Sequence, residues 1–409
     1  MSGQTFNLTD QTNLFKINYY KKSENVYNSY NVLHGRIKKK HDFVGKQKFV
    51  AVPMGFAGGF GTGNLPTARS AKYEGAIITA KKVYAVCEID RESIKASKGD
   101  KGAFVEATKE SVKKTIETYM RHSSRILFKD GSGELGRGYA GGAAVTGDGS
   151  TNTPYIIELD HDLWNEAMFE EDDGVNINGE STYLYIDEVD PDNYKIKLVG
   201  TSSRLATLVT GTAAFGASDV VYVQKSKDND PQGLEGIRDA VVGSTSLYGI
   251  TCQRRWKMVV EDASGAGINP DRMNGVMLDV EKKCGKVPNL IITSYTQLRK
   301  ILDFMEDQKV YNLPARNVKG NLSYSGVEFM STRGAVGIFT DRFCHAADMW
   351  FLNDNYIEVH HRPGFGWFDD DGTVFLRLSG SDEYGARYGG YYENYIVPPF
   401  HGAIKNLST

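Results

Sequence analysis

The sequence predicts an α+β chain of several domains arranged along one long helix, with a small all-β module set into it. Three observations predict this. Residues 76–128 alternate as a strand and then continue into the longest helical periodicity in the chain. A glycine-dense stretch, 49–75, stands before that strand. From 151 to 225, short β-like runs alternate with polar turns.

Taken in order, residues 1–48 are poor in aliphatics and rich in Asn, Tyr and Lys, so this arm needs something outside itself, such as a neighbouring subunit, to hold it. The stretch 49–75 lies between two strand-like runs and reads as a long β-hairpin with a glycine-rich tip. In the strand that follows, Ile77, Thr79, Lys81, Val83, Ala85 and Cys87 share one side, and Ile78, Ala80, Lys82, Tyr84, Val86 and Glu88 the other. Lys81 and Lys82 at its middle mark a ribbon partly in water. A helix is expected after Asp100 as N-cap, with Val105, Val112, Ile116, Tyr119, Met120, Ile126 and Leu127 on one stripe. At roughly 1.5 Å per residue it extends about 40 Å, longer than one compact core requires.

Residues 131–150 read as a glycine-rich connector. The runs YIIEL, STYLYIDEV, YKIKLVG, ATLVTG and VVYVQ then read as strands, separated by turns such as Asp190-Pro191-Asp192-Asn193. Beyond residue 234 the pattern is mixed. Asn269 and Pro270 start a helix that Gly285 stops, PNLIITS reads as a buried strand, and Ser294 caps the helix YTQLRKILDFMED. Strand-like runs follow at 327–330, 335–340, 349–352 and 357–359.

With 409 residues there is room for two or three cores. A net charge of −3 argues against a dedicated nucleic-acid binder, while leaving room for a local basic patch. Cys87, Cys252, Cys284 and Cys344 are widely spaced and read as reduced core residues of a cytosolic protein. No apolar run reaches the roughly eighteen residues of a membrane helix, and no signal sequence is evident, so a protein that works without crossing a membrane is expected. The 44 Gly, 23 Tyr and 19 Phe suit a loop- and sheet-rich chain with large contact surfaces.

Motifs that could carry chemistry are weak. Gly131-Ser132-Gly133-Glu134-Leu135-Gly136 spells Gly-x-Gly-x-x-Gly but follows a helix, where a dinucleotide site must follow a strand. Asp228, Asp230, Gln232, Gly233 and Asp239 approach a calcium-loop spacing, with Pro231 inside it and Asp in place of the final Glu, and read first as a polar turn. Asp369-Asp370-Asp371-Gly372 also reads as a turn. His360 and His361, with His345 and Asp348 upstream, form the one cluster with ligand-type residues, but adjacent residues on a strand face opposite ways. No catalytic, cofactor-binding or metal residues are assigned, no cofactor is expected, and the chain is read as a non-enzyme.

Several stretches together resemble one family. ITAKKVYAVCEIDRESIKAS followed by KGAFVEATKESVKKTIETYMRHSSRILF is similar to the loop-return strand and spine helix of the Hong Kong ninety-seven fold of tailed-bacteriophage major capsid proteins. PNLIITSYTQLRKIL resembles its axial-domain strand and helix, and GVEFMSTRGAVGIFTDRF and ENYIVPPFHGAI resemble its later strands. The resemblance implies an N-terminal arm (1–48), an extended loop (49–90), a peripheral domain with the spine helix (91–150), an inserted β-rich domain (151–225), an axial domain (226–385) and a C-terminal strand and tail returning to the peripheral domain (386–409). It further implies a self-assembling virion protein whose hexamers and pentamers close an icosahedral shell around double-stranded DNA, assembled in the host cytoplasm.

Its implied partners are copies of itself, other virion proteins such as portal, scaffold or decoration proteins, and packaged DNA in non-specific contact, with no membrane. The arm is too short to serve as an internal scaffold, so a separate scaffold or none is expected. Lys72, Lys81 and Lys82 lie in or beside the loop, and no motif points to a crosslinking partner. The alternatives are an encapsulin-like nanocompartment shell and, from another class, a dispersed-site enzyme or carbohydrate-binding protein.

Overall fold

A computed structural model describes residues 32–41, 43, 45–55, 72–90, 101–211, 213–307, 327–331, 334–362, 366–369, 372, 374, 376–377, 380 and 383–409. The expectations for the arm up to residue 31, the loop tip within 56–71, the cap at Asp100 and the side chain of Val105 lie outside them. Two compact units divide the chain. One comprises Met1–Val50, Ile77–Leu127 and Glu358–Tyr395, and the other Ala51–Ala76, Phe128–Ile357 and Ile396–Thr409.

The first unit packs a sheet on the long helix, which spans Lys101–Phe128, about 42 Å. Val112, Thr115, Ile116, Tyr119, Met120, Ser123, Ile126 and Leu127 form a buried stripe. From Tyr119 onward Arg121, Ser124, Arg125 and Phe128 are buried as well, so the second half of the helix, Arg121 of its expected wet face included, is covered nearly all round. Tyr119 meets Tyr388 edge to face at 5.3 Å, and the Tyr392 hydroxyl donates to Ser123 Oγ at 3.3 Å. The sheet is organised on the 14-residue strand Glu383–Ile396. Lys81–Asp90 runs antiparallel along that strand from Glu383↔Asp90 to Tyr392↔Lys81. In the same sheet, Lys38–Lys40 lies parallel to Ile357–His361.

The strand read as continuous through 76–88 is two strands, Lys72–Thr79 and Lys81–Asp90, broken at Ala80. The first pairs with Gln47–Gly55 in a two-stranded ribbon and the second with Glu383–Ile396. The buried positions change parity across the break: Ala76 and Ile78 before it, Val83, Ala85 and Cys87 after it. A one-residue interruption thus turns the opposite side of the chain inward, because side chains alternate with a period of two.

The second unit holds a six-stranded mixed sheet in the order Val259–Asp262, Gly402–Lys405, Met349–Leu352, Leu290–Thr293, Gly334–Thr340, Val327–Ser331. The continuous apolar run at Leu290–Thr293 is buried along its whole length, as a central strand requires. Val276 and Val280 from the helix Pro270–Cys284 pack with Ile291, Met349, Phe351 and Ile404 in its core. The start and stop signals act as read. Asn269 Oδ1 accepts the Arg272 N–H at 2.8 Å, Gly285 closes the helix at φ 71°, and Ser294 Oγ accepts the Gln297 N–H at 3.3 Å.

A second six-stranded sheet runs Glu134–Arg137, Val220–Val223, Gly174–Ile177, Leu184–Asp190, Lys195–Gly200, Tyr155–Glu158, with every pairing antiparallel. Its outer strands also meet: Gly138 bridges Leu159, the Tyr139 N–H donates to Glu158 O at 3.2 Å, and the Asp160 N–H to Arg137 O at 2.9 Å. The sheet therefore curls into a barrel whose two outer strands meet at this one bridge. Its interior carries Leu135, Tyr155, Ile157, Val175, Ile177, Leu184, Ile186, Ile196, Leu198 and Val221, all buried.

Two readings change here. ATLVTG lies in the helix Ser203–Thr210, not in a strand. Ser202 Oγ caps that helix at the Leu205 N–H, 3.2 Å, and Leu205 and Leu208 turn one apolar face inward, which outweighs the strand preference of Thr207 and Val209. The connector within 131–150 contributes the strand Glu134–Arg137, and a Cβ at Gly133 would stand 2.5 Å from the Ser226 carbonyl oxygen of the returning chain.

Candidate assembly surfaces

The described residues among those singled out for chemistry are each engaged in separate local contacts. Asp230 takes the Ser226 hydroxyl, Asp239 binds Arg238 at 2.7 Å, and Gln232 Nε2 donates to Asp130 O at 3.2 Å. The calcium-like spacing is thus spent on separate local bonds. The Gly372 N–H donates to Asp369 O at 2.8 Å, and Asp370 and Asp371 lie outside the described residues. Among the described residues no group of three or more His, Cys, Asp or Glu is placed to hold a metal ion. All four cysteines are free, three buried and Cys284 half-buried.

His345 and Asp348 belong to the second unit, His360 and His361 to the first. His345 Nε2 lies 2.7 Å from Asp162 O, and Asn165 Nδ2 donates to Arg342 O at 3.1 Å, fastening the barrel to the turn after Gly334–Thr340. Asp348 receives the Arg238 guanidinium, which also binds Glu235 at 3.4 Å and stacks 5.3 Å above the Trp350 ring. Burial opposes the Arg238 charge, but Asp239, Asp348 and Glu235 more than offset it and hold the group above its ordinary pKa. Burial also lifts the Asp348 carboxyl, with Arg238 pulling the other way. This network borders a cavity of about 460 Å³ lined by Phe128, Leu135, Met168, Phe343 and Trp350 among others. Its charged groups are largely committed to one another, as a structural joint requires.

His360 and His361 do face opposite ways, yet both are buried. His360 Nδ1 lies 3.4 Å from Lys48 Nζ and its Nε2 3.2 Å from Glu358. His361 stacks on His41 at 5.5 Å and lies against Tyr392 at 5.4 Å. The alternation rule is obeyed, but elements cover both sides of this strand, a fact that spacing alone does not carry.

The features that remain are surfaces. On the ribbon Gln47–Gly55 and Lys72–Thr79, Phe49 is 68% and Tyr73 61% exposed, and Lys72 pairs with Glu74 at 3.0 Å. On Lys81–Asp90 the outward side carries Tyr84 and Val86, both exposed, with Phe368 and Tyr391 around Tyr84 and Lys82 over the Tyr391 ring at 5.8 Å. Large exposed apolar side chains, where they cluster as Tyr84 does with Phe368 and Tyr391, are candidates for contact surfaces. Charge is also segregated along the chain: 151–225 contains 14 Asp and Glu against 4 Lys and Arg, whereas 1–127 contains 22 Lys and Arg against 11 Asp and Glu.

Residues 207–365 match the family model of the SU10 major capsid protein. Among solved structures, the backbone is similar to the capsid asymmetric unit of cyanophage A-1(L), with a TM-score of 0.52, 11% identity, and 91% of each chain covered. Lower similarity is found to a chain of Mycobacterium phage Adephagia (TM-score 0.42, 9% identity, 92% of this chain and 89% of that one). An encapsulin complex from Synechococcus elongatus is also similar (TM-score 0.45, 8% identity, 93% and 89%). No curated protein matches the chain in sequence.

Proposed function

We infer that the chain is a tailed-phage major capsid protein of the Hong Kong ninety-seven fold, a structural protein whose copies build the virion shell. The observation that carries this reading is the joint occurrence of the SU10 major capsid match over 207–365 and a capsid-subunit backbone followed across nine-tenths of the chain. The finer reading is hexamers and pentamers closing an icosahedral shell around double-stranded DNA, assembled in the host cytoplasm with portal, scaffold or decoration proteins. In this reading the chain works by packing and not by catalysis. The exposed Phe49 and Tyr73 support it, since each is worth about 2 kcal/mol when buried against a neighbour. Such modest contacts, repeated around every copy, hold a shell while letting misplaced subunits leave.

The proposed domains follow the arm (1–48), extended loop (49–90), peripheral (91–150), inserted (151–225), axial (226–385) and C-terminal (386–409) divisions. Deleting 55–71 tests the loop's part. The expected product is a soluble subunit with an unchanged far-ultraviolet circular dichroism spectrum that forms no closed shells by electron microscopy. Normal shells from this variant would sink the role given to the loop. Particles from the intact chain are expected to protect genome-length DNA from nuclease, and particles loaded with protein cargo instead would favour an encapsulin-like compartment.

A further inference from the structure

Segment 32–48 belongs to the first unit and is fastened to it through histidines. The helix Val32–Arg36 buries His34, whose Nε2 lies 3.1 Å from Ser123 O on the long helix. Next, Lys38–Lys40 pairs in parallel with Glu358, Val359 and His360. His41 then stacks on His361 at 5.5 Å, and Lys48 reaches His360 Nδ1 at 3.4 Å. Contacts without an imidazole also hold it, among them the Lys40–Glu358 ion pair at 2.8 Å, the bond from Gln47 Nε2 to Thr79 Oγ1 at 3.3 Å and the buried Leu33, Ile37 and Phe43.

We propose that segment 32–48 is an acid-released latch, held to its unit while the buried His34 and His361 are neutral and freed when they take up protons. The groups around the imidazoles give the physical reason. The charges acting on His361 come from His41, Lys39, His34 and His360, every one cationic when charged. Lys39 also faces His34. His122, on the long helix, lies beside Arg121 and Arg125. On the sheet, Tyr392 lies against His361 and Tyr395 6.1 Å from His360. Glu358 is shared between Lys40 and His360, and Glu393 is buried on the long strand. A proton added to His34 or His361 thus enters a buried, already basic setting, which the chain relieves by releasing the segment.

Burial is the main cause that lowers His34 to about 4 and, with the neighbouring cations, His361 to about 3, from an ordinary 6.5. Because the folded values lie below the unfolded one, these groups add stability above pH 6.5. That contribution falls away as the pH drops from 6.5 toward 4 and then 3. Release concerns the subunit itself, whereas its use in loosening a shell rests on the capsid reading.

The test is hydrogen exchange of the full chain, read peptide by peptide between pH 7.5 and 4 and corrected for intrinsic exchange. Protection of 32–48 is expected to fall at least tenfold by pH 4.5, while Leu290–Thr293 in the other unit keeps its protection. In His361→Phe, which retains a ring against His41 and Tyr392, and in His34→Gln, the midpoint is expected to move down by at least half a pH unit. Undiminished protection of 32–48 at pH 4 in the wild-type chain would overturn the proposal, and so would release of both variants at the wild-type pH. Because the readout needs no shell, loss of assembly cannot mimic loss of the latch.

Discussion

Asp341 and Arg238 show how single charged side chains are used within the second unit. Asp341 is buried after the strand Gly334–Thr340, where its Oδ1 accepts the Phe343 N–H at 2.9 Å. Burial pushes its carboxyl up to about 6, against the backbone bond that pulls it down. A carboxyl raised in the folded state costs stability once ionised, so the cost is absent below pH 3.8 and full above pH 6. Asp341→Asn keeps an acceptor for Phe343 and carries no charge. Urea unfolding is expected to show a gain of about 1–3 kcal/mol at pH 7.5 and none near pH 4. Arg238→Leu acts in the opposite direction, because it leaves Asp348 buried without its guanidinium. A loss of about 3 kcal/mol is expected at pH 7.5. The difference from wild type should shrink in acid as Asp348 takes a proton, and Asp348→Asn in the same chain should recover at least half of it.

Elements differed in how far the sequence alone exposed them, and the difference follows whether their causes are local. Asn269, Pro270 and Gly285 bound one helix because caps and stops act within a turn of the residue that makes them. The spacing of Val112, Ile116, Tyr119 and Met120 was visible for the same reason, whereas the burial of Arg121, Ser124 and Arg125 depends on what packs around the helix and was not. The break at Ala80 was not, since both halves alternate equally well and only the identity of their partners, Gln47–Gly55 and Glu383–Ile396, separates them. His360 and His361 were visible as a pair, but the cluster around them depends on His34, His41 and Lys48, more than 300 positions away. Glycine tests the long strand directly. A Cβ at Gly389 would stand 2.2 Å from the Val83 carbonyl oxygen, inside the pairing with Lys81–Asp90. Gly389→Ala is therefore expected to lower the melting temperature by several degrees or abolish soluble expression. Gly275→Ala, whose Cβ meets nothing within 4 Å in a helix interior, is expected to gain about 0.5–1 kcal/mol.

At the scale of the whole molecule, the near-neutral net charge of −3 conceals a strong division. The stretch 151–225, which supplies five of the six barrel strands, has an excess of ten acidic residues and 1–127 an excess of eleven basic ones. Among the acidic residues, Asp162, Glu170, Glu171, Asp172, Asp187, Glu188 and Asp192 are exposed. Double-stranded DNA carries one negative charge per roughly 1.7 Å of axis. A shell that turned these carboxylates toward packed DNA would accumulate repulsion with every copy, screened only beyond about 8–10 Å. Turned outward, the same carboxylates face water and counterions and keep particles apart in solution. On the proposed capsid reading, and with Cys284→Ser to lower the background, Asp187→Cys is expected to react with a bulky maleimide on intact particles as fast as on dissociated subunits. Protection in the intact particle, released on disruption, would place the barrel inside and refute this orientation.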